Sequence, residues 1–147
     1  KSHFSTELTV RIGDINYGNI RLSDAFSADY ALEKTWLVDY ECSYLAEVEY
    51  DIAMFIAVNE LDLNDIDSII QSYQKYVDMN ITDQVEYIVD KEKVRGYLAC
   101  CYLINGLWYF EVASERKQAQ DIMIKARQQF DFFDQLELLE EKVAPLF

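Results

Sequence analysis

The period of the apolar residues changes near residue 50. Polar and apolar residues alternate through residues 7–12, and residues 19–22 and 35–38 read as a second and a third short strand. From residue 51 onward the pattern is helical, and residues 51–58 are apolar almost all round. Alternation predicts strands, whereas an apolar segment of this kind predicts a buried helix. We therefore predict an α+β fold with a small strand patch followed by a mostly helical body.

The helical part carries several start signals. Asn64 is a candidate N-cap for a helix that runs to Val77, and Asp83 with Glu86 resembles a capping box. The box is predicted to open a helical region that holds Ile88 and Val94. An apolar helix over residues 94–112 and an amphipathic helix follow. Residues 23–34 read as a polar loop. With no repeat or linker in view, residues 1–147 are predicted to form one domain.

The charge balance bounds the partners. The chain has 27 acidic and 13 basic residues and a formal net charge of −14. We expect no nucleic-acid partner, because phosphate binding requires a basic stripe. An acidic cleft would favour a cationic small molecule, although a solvated acidic surface explains the same composition. No apolar run is long enough to span a bilayer, so we expect no membrane partner.

The cysteines indicate the redox setting. Cys42, Cys100 and Cys101 form neither a C-x-x-C motif nor an even disulfide set. This usage is typical of the reducing cytoplasm, which is the predicted location. Cys100 and Cys101 lie in an apolar stretch and are predicted to be buried thiols.

Two polar segments follow predicted strands. Asp14 comes after the first strand on a loop that contains glycine, where a carboxylate can accept a hydrogen bond or a proton from a hydroxyl. Asn19 begins the next strand and can offer an amide oxygen to a hard cation, and Asp39 follows the third strand with a carboxylate. These residues match the needs of phosphoryl transfer. A loop-capping role for Asp14 is the alternative.

Four segments resemble one family. Residues 12–19 (Ile-Gly-Asp-Ile-Asn-Tyr-Gly-Asn) resemble the HxDxxxxN loop of the choline kinase and aminoglycoside phosphotransferase family, a branch of the protein-kinase-like fold. Residues 37–41 resemble its apolar-apolar-Asp-aromatic-Glu segment, and residues 50–53 resemble its Phe-Asp-Ile-Ala helix start. Residues 106–108 are similar to its Gly-Leu-Trp motif. Ile12 stands where the family has histidine.

The resemblance implies the C-terminal lobe of an ATP-dependent kinase, with the N-terminal lobe that covers ATP outside this chain. Asp14 would be the catalytic base, Asn19 and Asp39 would hold Mg²⁺ against ATP, and Asp51 would support the catalytic loop. The acceptor would be a cationic alcohol, choline-like or thiamine-like, with aminoglycosides next. Its site would include three residues, namely Trp108, Tyr40 and Glu41.

Alternatives remain open for several of these residues. Asp51 is also a plain helix N-terminal acid, and Trp108 also fits core packing. Leu98, Tyr102, Asn105 and Tyr109 share one helix face, which indicates either packing or the lining of a cleft. For the whole chain, the alternatives are a non-catalytic, pseudokinase-like interaction module and a small helical scaffold. The oligomeric state stays open.

Overall fold

The computed structural model describes residues 9–22, 35–80, 88–115 and 119–143. Within them the chain is mostly helical with short strands, which confirms the coarse prediction of a strand-rich start and a helical body. The strands are β1 (Thr9–Arg11), β2 (Ile20–Leu22), β3 (Thr35–Leu37) and β4 (Tyr44–Ala46). The helices are α1 (Val48–Val58), α2 (Ile66–Asn80), α3 (Lys91–Glu115) and α4 (Ala119–Val143).

The strands form two antiparallel pairs. β1 pairs with β4 with Val10 opposite Leu45, and β2 pairs with β3 with Arg21 opposite Trp36. The β1–β2 connection and the β3–β4 connection therefore each run from one strand pair to the other. This topology brings residues 12–19 close to residues 38–43. The sequence did not predict β4.

α1 is the centre of the core. It packs against α3, and its side chains at Ala53, Ile56 and Ala57 are fully buried, as the apolar pattern predicted. Each fully buried side chain of the size of valine or leucine contributes about 1.5–3 kcal/mol. The residues of α3 that bury completely against this centre are Val94, Leu98, Cys101 and Tyr102.

α4 packs along α3 through a glycine contact. A Cβ atom on Gly106 would lie 2.7 Å from the Phe130 ring, so the glycine allows the two helices to approach. The ring of Tyr102 stacks on Phe132 with centroids 5.4 Å apart. The buried Gln129 donates to the carbonyl of Ala57 at 3.4 Å, which ties α4 to α1.

One predicted helix cap is wrong, and one residue predicted to lie in a helical region does not. Asp62, not Asn64, caps the turn before α2, because its carboxylate accepts the Asn64 N–H at 2.9 Å. Ile88 lies outside the helices, since α3 begins at Lys91. The Asp90 carboxylate accepts the Glu92 N–H at 2.9 Å at that point. The predicted capping box at residues 83–86 and the predicted loop at residues 23–34 lie outside the described residues.

The prediction for the adjacent cysteines is half right. Cys101 is buried and burial raises the pKa of its thiol to about 12, whereas Cys100 is exposed. Successive residues on a helix point about 100° apart, so only one of the pair can face α1.

In the part of the chain that the structure describes, none of the helices combines the length and the apolar character that a membrane span needs.

We predict that Gly106→Ala lowers the free energy of unfolding by about 1–3 kcal/mol, because the new methyl group overpacks the contact with Phe130. The matched control is Gly96→Ala in the same helix, where a Cβ atom meets nothing within 4 Å. That change should be neutral or stabilising. Urea unfolding measures both, and equal effects of the two substitutions would contradict the packing role of Gly106.

We also predict a pH-dependent contribution from Glu47. Its carboxylate accepts from Lys93 at 2.8 Å and from the Tyr97 hydroxyl at 3.0 Å, and the bond from Lys93 is the main cause that lowers its pKa below the usual 4.5. Ionised Glu47 therefore stabilises the fold above the usual glutamate pKa, and this contribution is lost as the pH falls through the lowered native pKa.

The variant Glu47→Gln removes this charge. The difference in unfolding free energy between the native protein and Glu47→Gln should be largest near neutral pH and should shrink in acid. Urea titrations at a series of pH values test this, and a difference that stays constant into strong acid would contradict it.

Candidate functional site

The loop between β1 and β2 begins with a glycine that nothing else can replace without strain. Gly13 is buried and has φ of +78°, a backbone region that side chains with a Cβ atom rarely adopt. A Cβ atom there would collide with the Tyr44 ring and with the Cys42 carbonyl oxygen. The absence of a side chain therefore lets β4 cover the backbone immediately before Asp14.

Asp51 holds the start of this loop. It lies in the first turn of α1, and its carboxylate accepts the N–H groups of Gly13 at 3.2 Å and of Ile12 at 3.4 Å. Burial raises the pKa of Asp51, and these two backbone bonds and the positive charge of Arg11 oppose that rise. The side chain thus contacts the loop that the resemblance predicts it to support.

The carboxylate of Asp14 is oriented by two amides. Its Oδ1 accepts from Asn16 Nδ2 at 2.8 Å, and its Oδ2 accepts from Asn19 Nδ2 at 3.2 Å. No backbone N–H of the described residues donates to it, which counts against a loop-capping role. Each carboxylate oxygen has a second lone pair, so both can still accept a hydrogen bond from a ligand hydroxyl.

The backbone N–H, the backbone carbonyl and the side-chain nitrogen of Asn19 all make hydrogen bonds. Its N–H donates to the Asn16 carbonyl at 2.9 Å and its carbonyl accepts the Val38 N–H at 2.9 Å. Its side-chain nitrogen donates to the carboxylate and to the backbone oxygen of Asp14, the latter at 3.1 Å. Since the amide nitrogen faces Asp14, the amide oxygen faces away. In the part of the chain that the structure describes, this oxygen accepts no hydrogen bond and is available to a cation.

Asp39 is the residue after a backbone hydrogen bond to Asn19. It directly follows Val38, whose N–H bonds the Asn19 carbonyl, and its side chain is exposed. Its φ of 67° lies in the left-handed region, which costs a residue other than glycine about 1–3 kcal/mol and is concentrated at functional sites. The exposed carboxylate of Asp39 and the unbonded side-chain oxygen of Asn19 therefore belong to two segments that a backbone hydrogen bond joins.

These two residues fit Mg²⁺ better than a metal enclosed by protein. Over residues 9–22, 35–80, 88–115 and 119–143, no cluster of three or more histidine, cysteine or acidic side chains could hold a metal ion. Magnesium binds to few protein oxygens and completes its shell with water and phosphate oxygens. One carboxylate and one amide oxygen are a donor set of that kind.

The residues predicted for the acceptor are exposed. Tyr40 is 56% exposed and its hydroxyl donates to the Leu37 carbonyl at 2.7 Å, and Glu41 lies in the exposed turn that follows. Trp108 on α3 is 57% exposed, so the alternative of core packing is wrong for its side chain. Its ring contacts Tyr109. No hydrogen bond or ring contact among the described residues joins Trp108 to the loop of Asp14.

The helix face that includes Leu98 serves mainly in packing. Leu98 and Tyr102 are completely buried, and Asn105 is half-buried and donates to Gln129 at 3.4 Å.

A separate cleft of about 460 Å³ lies beside β4. Tyr44, whose ring also lies against Gly13, is part of its wall, and none of the residues predicted to be catalytic, to hold the metal or to bind the acceptor lines it. Its lining consists of Tyr44, Leu45, Ala46, Glu47, Tyr50 and Tyr97.

Sequence reasoning missed two asparagines. Asn16 contacts Asp14, as described above. Asn59, which follows the last residue of α1, donates to the Ile15 carbonyl and accepts the Tyr17 N–H, both at 2.8 Å. An asparagine after an apolar helix signals only a helix end, so the 44-residue separation of Asn59 from Ile15 hid the contact.

Comparisons of this chain with protein-family models, with curated proteins and with solved structures found no match.

We predict that Gly13→Ala destabilises the fold by about 2 kcal/mol or more, from the left-handed backbone and the collision with Tyr44. Gly18→Ala is the matched control in the same loop, because Gly18 has no left-handed φ and its Cβ atom would meet only side-chain atoms of Asn16 and no backbone. Urea unfolding of the two variants should separate them clearly. If Gly13→Ala proved as mild as Gly18→Ala, the close approach of β4 would not be a constraint.

Proposed function

We propose that this chain is the C-terminal lobe of a protein-kinase-like phosphotransferase, which transfers the γ-phosphoryl group of ATP to a small-molecule alcohol. The observation that carries the proposal is the contact between the Asp14 carboxylate and the Asn19 amide at 3.2 Å. The backbone bond between Asn19 and Val38 brings the backbone segment before Asp39 to this pair. In the proposed site Asp14 would be the base and Asn19 and Asp39 the cation ligands, which are among the protein groups that phosphoryl transfer uses.

In the proposed reaction Asp14 aligns the acceptor hydroxyl. One of its oxygens accepts the hydroxyl proton as the new bond forms between the acceptor oxygen and the γ-phosphorus and the bond to the β–γ bridging oxygen breaks. Bound Mg²⁺ supplies charge neutralisation on the phosphates. Asn19 and Asp39 would hold that ion, and the amides of Asn16 and Asn19 keep the carboxylate of Asp14 in a fixed orientation. The contribution of the residues is therefore positioning and electrostatics.

The acceptor that the surface favours is a cationic alcohol. The chain carries a net charge of −14, which attracts cations to its surface. Tyr40, Glu41 and Trp108 are exposed and offer two aromatic rings and a carboxylate. A cation over an aromatic ring gains roughly 0.5–2 kcal/mol. We propose choline-like or thiamine-like alcohols first and aminoglycosides next, in a cytoplasmic setting that suits three free cysteines.

One observation favours a second function. Ile12 stands where the family has a histidine that links the catalytic loop to the metal-binding segment. In this chain the backbone N–H of Ile12 bonds to Asp51, so the loop keeps an anchor to α1 while the histidine side chain is lost. A non-catalytic, pseudokinase-like interaction module is therefore the alternative.

The deciding measurement is acceptor-dependent ATP turnover by the full-length protein. The acceptor panel is choline, thiamine, ethanolamine and an aminoglycoside, each with Mg²⁺. We predict that Asp14→Ala lowers kcat by about 100-fold or more, because it removes the base and the group that aligns the hydroxyl.

Two further variants complete the design. Asp39→Ala should raise the Mg²⁺ concentration required for turnover, because it removes one of the two proposed ligands. Asp131→Ala, which changes an exposed aspartate on α4, should leave turnover at the native level. Turnover that survives Asp14→Ala would contradict the kinase. Absence of turnover together with absence of Mg²⁺–ATP binding by calorimetry would favour the interaction module.

A further inference from the structure

Asn59 makes three short hydrogen bonds at the end of α1. Its side-chain nitrogen donates to the Ile15 carbonyl and to the Phe55 carbonyl, each at 2.8 Å. Its side-chain oxygen accepts the Tyr17 N–H, also at 2.8 Å. The amide therefore closes the last turn of the helix and grips the loop on both sides of Asn16. One side chain satisfies three backbone groups, and each partner is of the type that its nitrogen or oxygen requires.

The loop is thus attached to α1 at two points. Asp51 binds the two N–H groups that precede Asp14, and Asn59 binds the backbone that follows it. At a rise of 1.5 Å per residue, the two attachments lie about 12 Å apart along the helix. Between them Tyr17 sets its ring edge-on to Phe55 with centroids 6.0 Å apart. α1 is the most deeply buried helix around this site, so it provides a rigid base for the loop.

We propose that Asn59 is a positioning residue for Asp14, an inference that rests on the proposed phosphotransfer. It acts through Asn16, which lies between its two loop partners and donates to Asp14 Oδ1 at 2.8 Å. Asp51 cannot replace it, because the bonds of Asp51 end at Gly13. Without Asn59 the segment from Ile15 to Tyr17 loses its hydrogen bonds to the end of α1 and keeps only the ring contact of Tyr17 with Phe55, so the Asn16 amide no longer has a fixed place beside the carboxylate.

The first arm of the test needs no activity. In full-length protein labelled with ¹⁵N on asparagine and tyrosine, the side-chain NH2 signals of Asn16 and Asn19 report on their bonds to Asp14, and the Tyr17 N–H is visible as well. We expect Asn59→Ala to shift the Asn16 signal and to speed hydrogen exchange at the Tyr17 N–H. Asn64→Ala is the matched control, since it removes an exposed asparagine from the turn that precedes α2. It should leave both observations unchanged.

The second arm separates positioning from stability. We expect Asn59→Ala to lower kcat by about 10- to 100-fold while the KM for ATP stays unchanged, because a small misplacement of a catalytic group costs rate and not nucleotide binding. Val77→Ala removes buried apolar contact on α2 and destabilises the protein away from the loop. It should keep the native kcat at a temperature where both variants are folded.

Asn59→Asp provides a variant of the same shape. It retains an acceptor for the Tyr17 N–H but sets a carboxylate oxygen against the Ile15 and Phe55 carbonyls, so we expect a loss of kcat like that of the alanine variant. Native kcat in Asn59→Asp would overturn the role of the amide donor. The Asn59→Asp variant also keeps the test decisive if the alanine variant fails to fold.

The outcomes separate this inference from the proposed function. A shifted Asn16 signal with a kcat loss that Val77→Ala does not share supports the positioning role. An unchanged Asn16 signal, or an equal loss of kcat in Val77→Ala, overturns it. If the native protein transfers no phosphoryl group to any acceptor, the proposed function fails. The NMR arm then decides alone whether Asn59 fixes the loop around Asp14.

Discussion

The site depends on the attachment of one loop to one buried helix. α1 is held by the core through Ile56 and Ala57, and its polar ends reach the loop through Asp51 and Asn59. A loop of this length has too few apolar contacts to fix its own conformation, so the bonds to its backbone carry the order. Asp51 and Asn59 lie in the first turn and at the end of a helix whose other side chains are packed in the core, so they cannot shift without disturbing that packing. The position of Asp14 therefore depends on the stability of α1.

The polar groups around Asp14 are matched in number and kind. Two asparagine amides donate to one carboxylate, and among the described residues the side-chain oxygen of Asn19 is left without a hydrogen bond. Such an arrangement fixes direction at little electrostatic cost, since neutral donors orient an anion without cancelling its charge. Asp39, one of the predicted metal ligands, has a left-handed backbone, which adds local strain to the segment that Val38 joins to Asn19.

Sequence patterns gave the broad organisation and several particular residues. The change of period near residue 50 predicted the strands and the buried helix, and the glycine before Asp14 indicated a tight loop. The wrong predictions share one cause: two neighbouring residues were equally suited to a role, and only the three-dimensional structure decides between them. Asp62 and Asn64 are both good caps, and only the backbone path decides which carboxylate or amide meets an N–H. Cys100 and Cys101 are equally apolar, and only the packing partner decides which one is buried.

The sequence by itself determined the local elements, because hydrophobic period, glycine and capping residues act over a few positions. It also determined which residue types were available for chemistry, namely Asp14, Asn19 and Asp39. Only the tertiary structure decided that Asn59 grips Ile15 and Tyr17, that β4 covers Gly13, and that Trp108 is exposed. These are contacts between residues far apart in the chain or consequences of helix packing, and a hydrogen bond across that separation leaves no local pattern in the sequence.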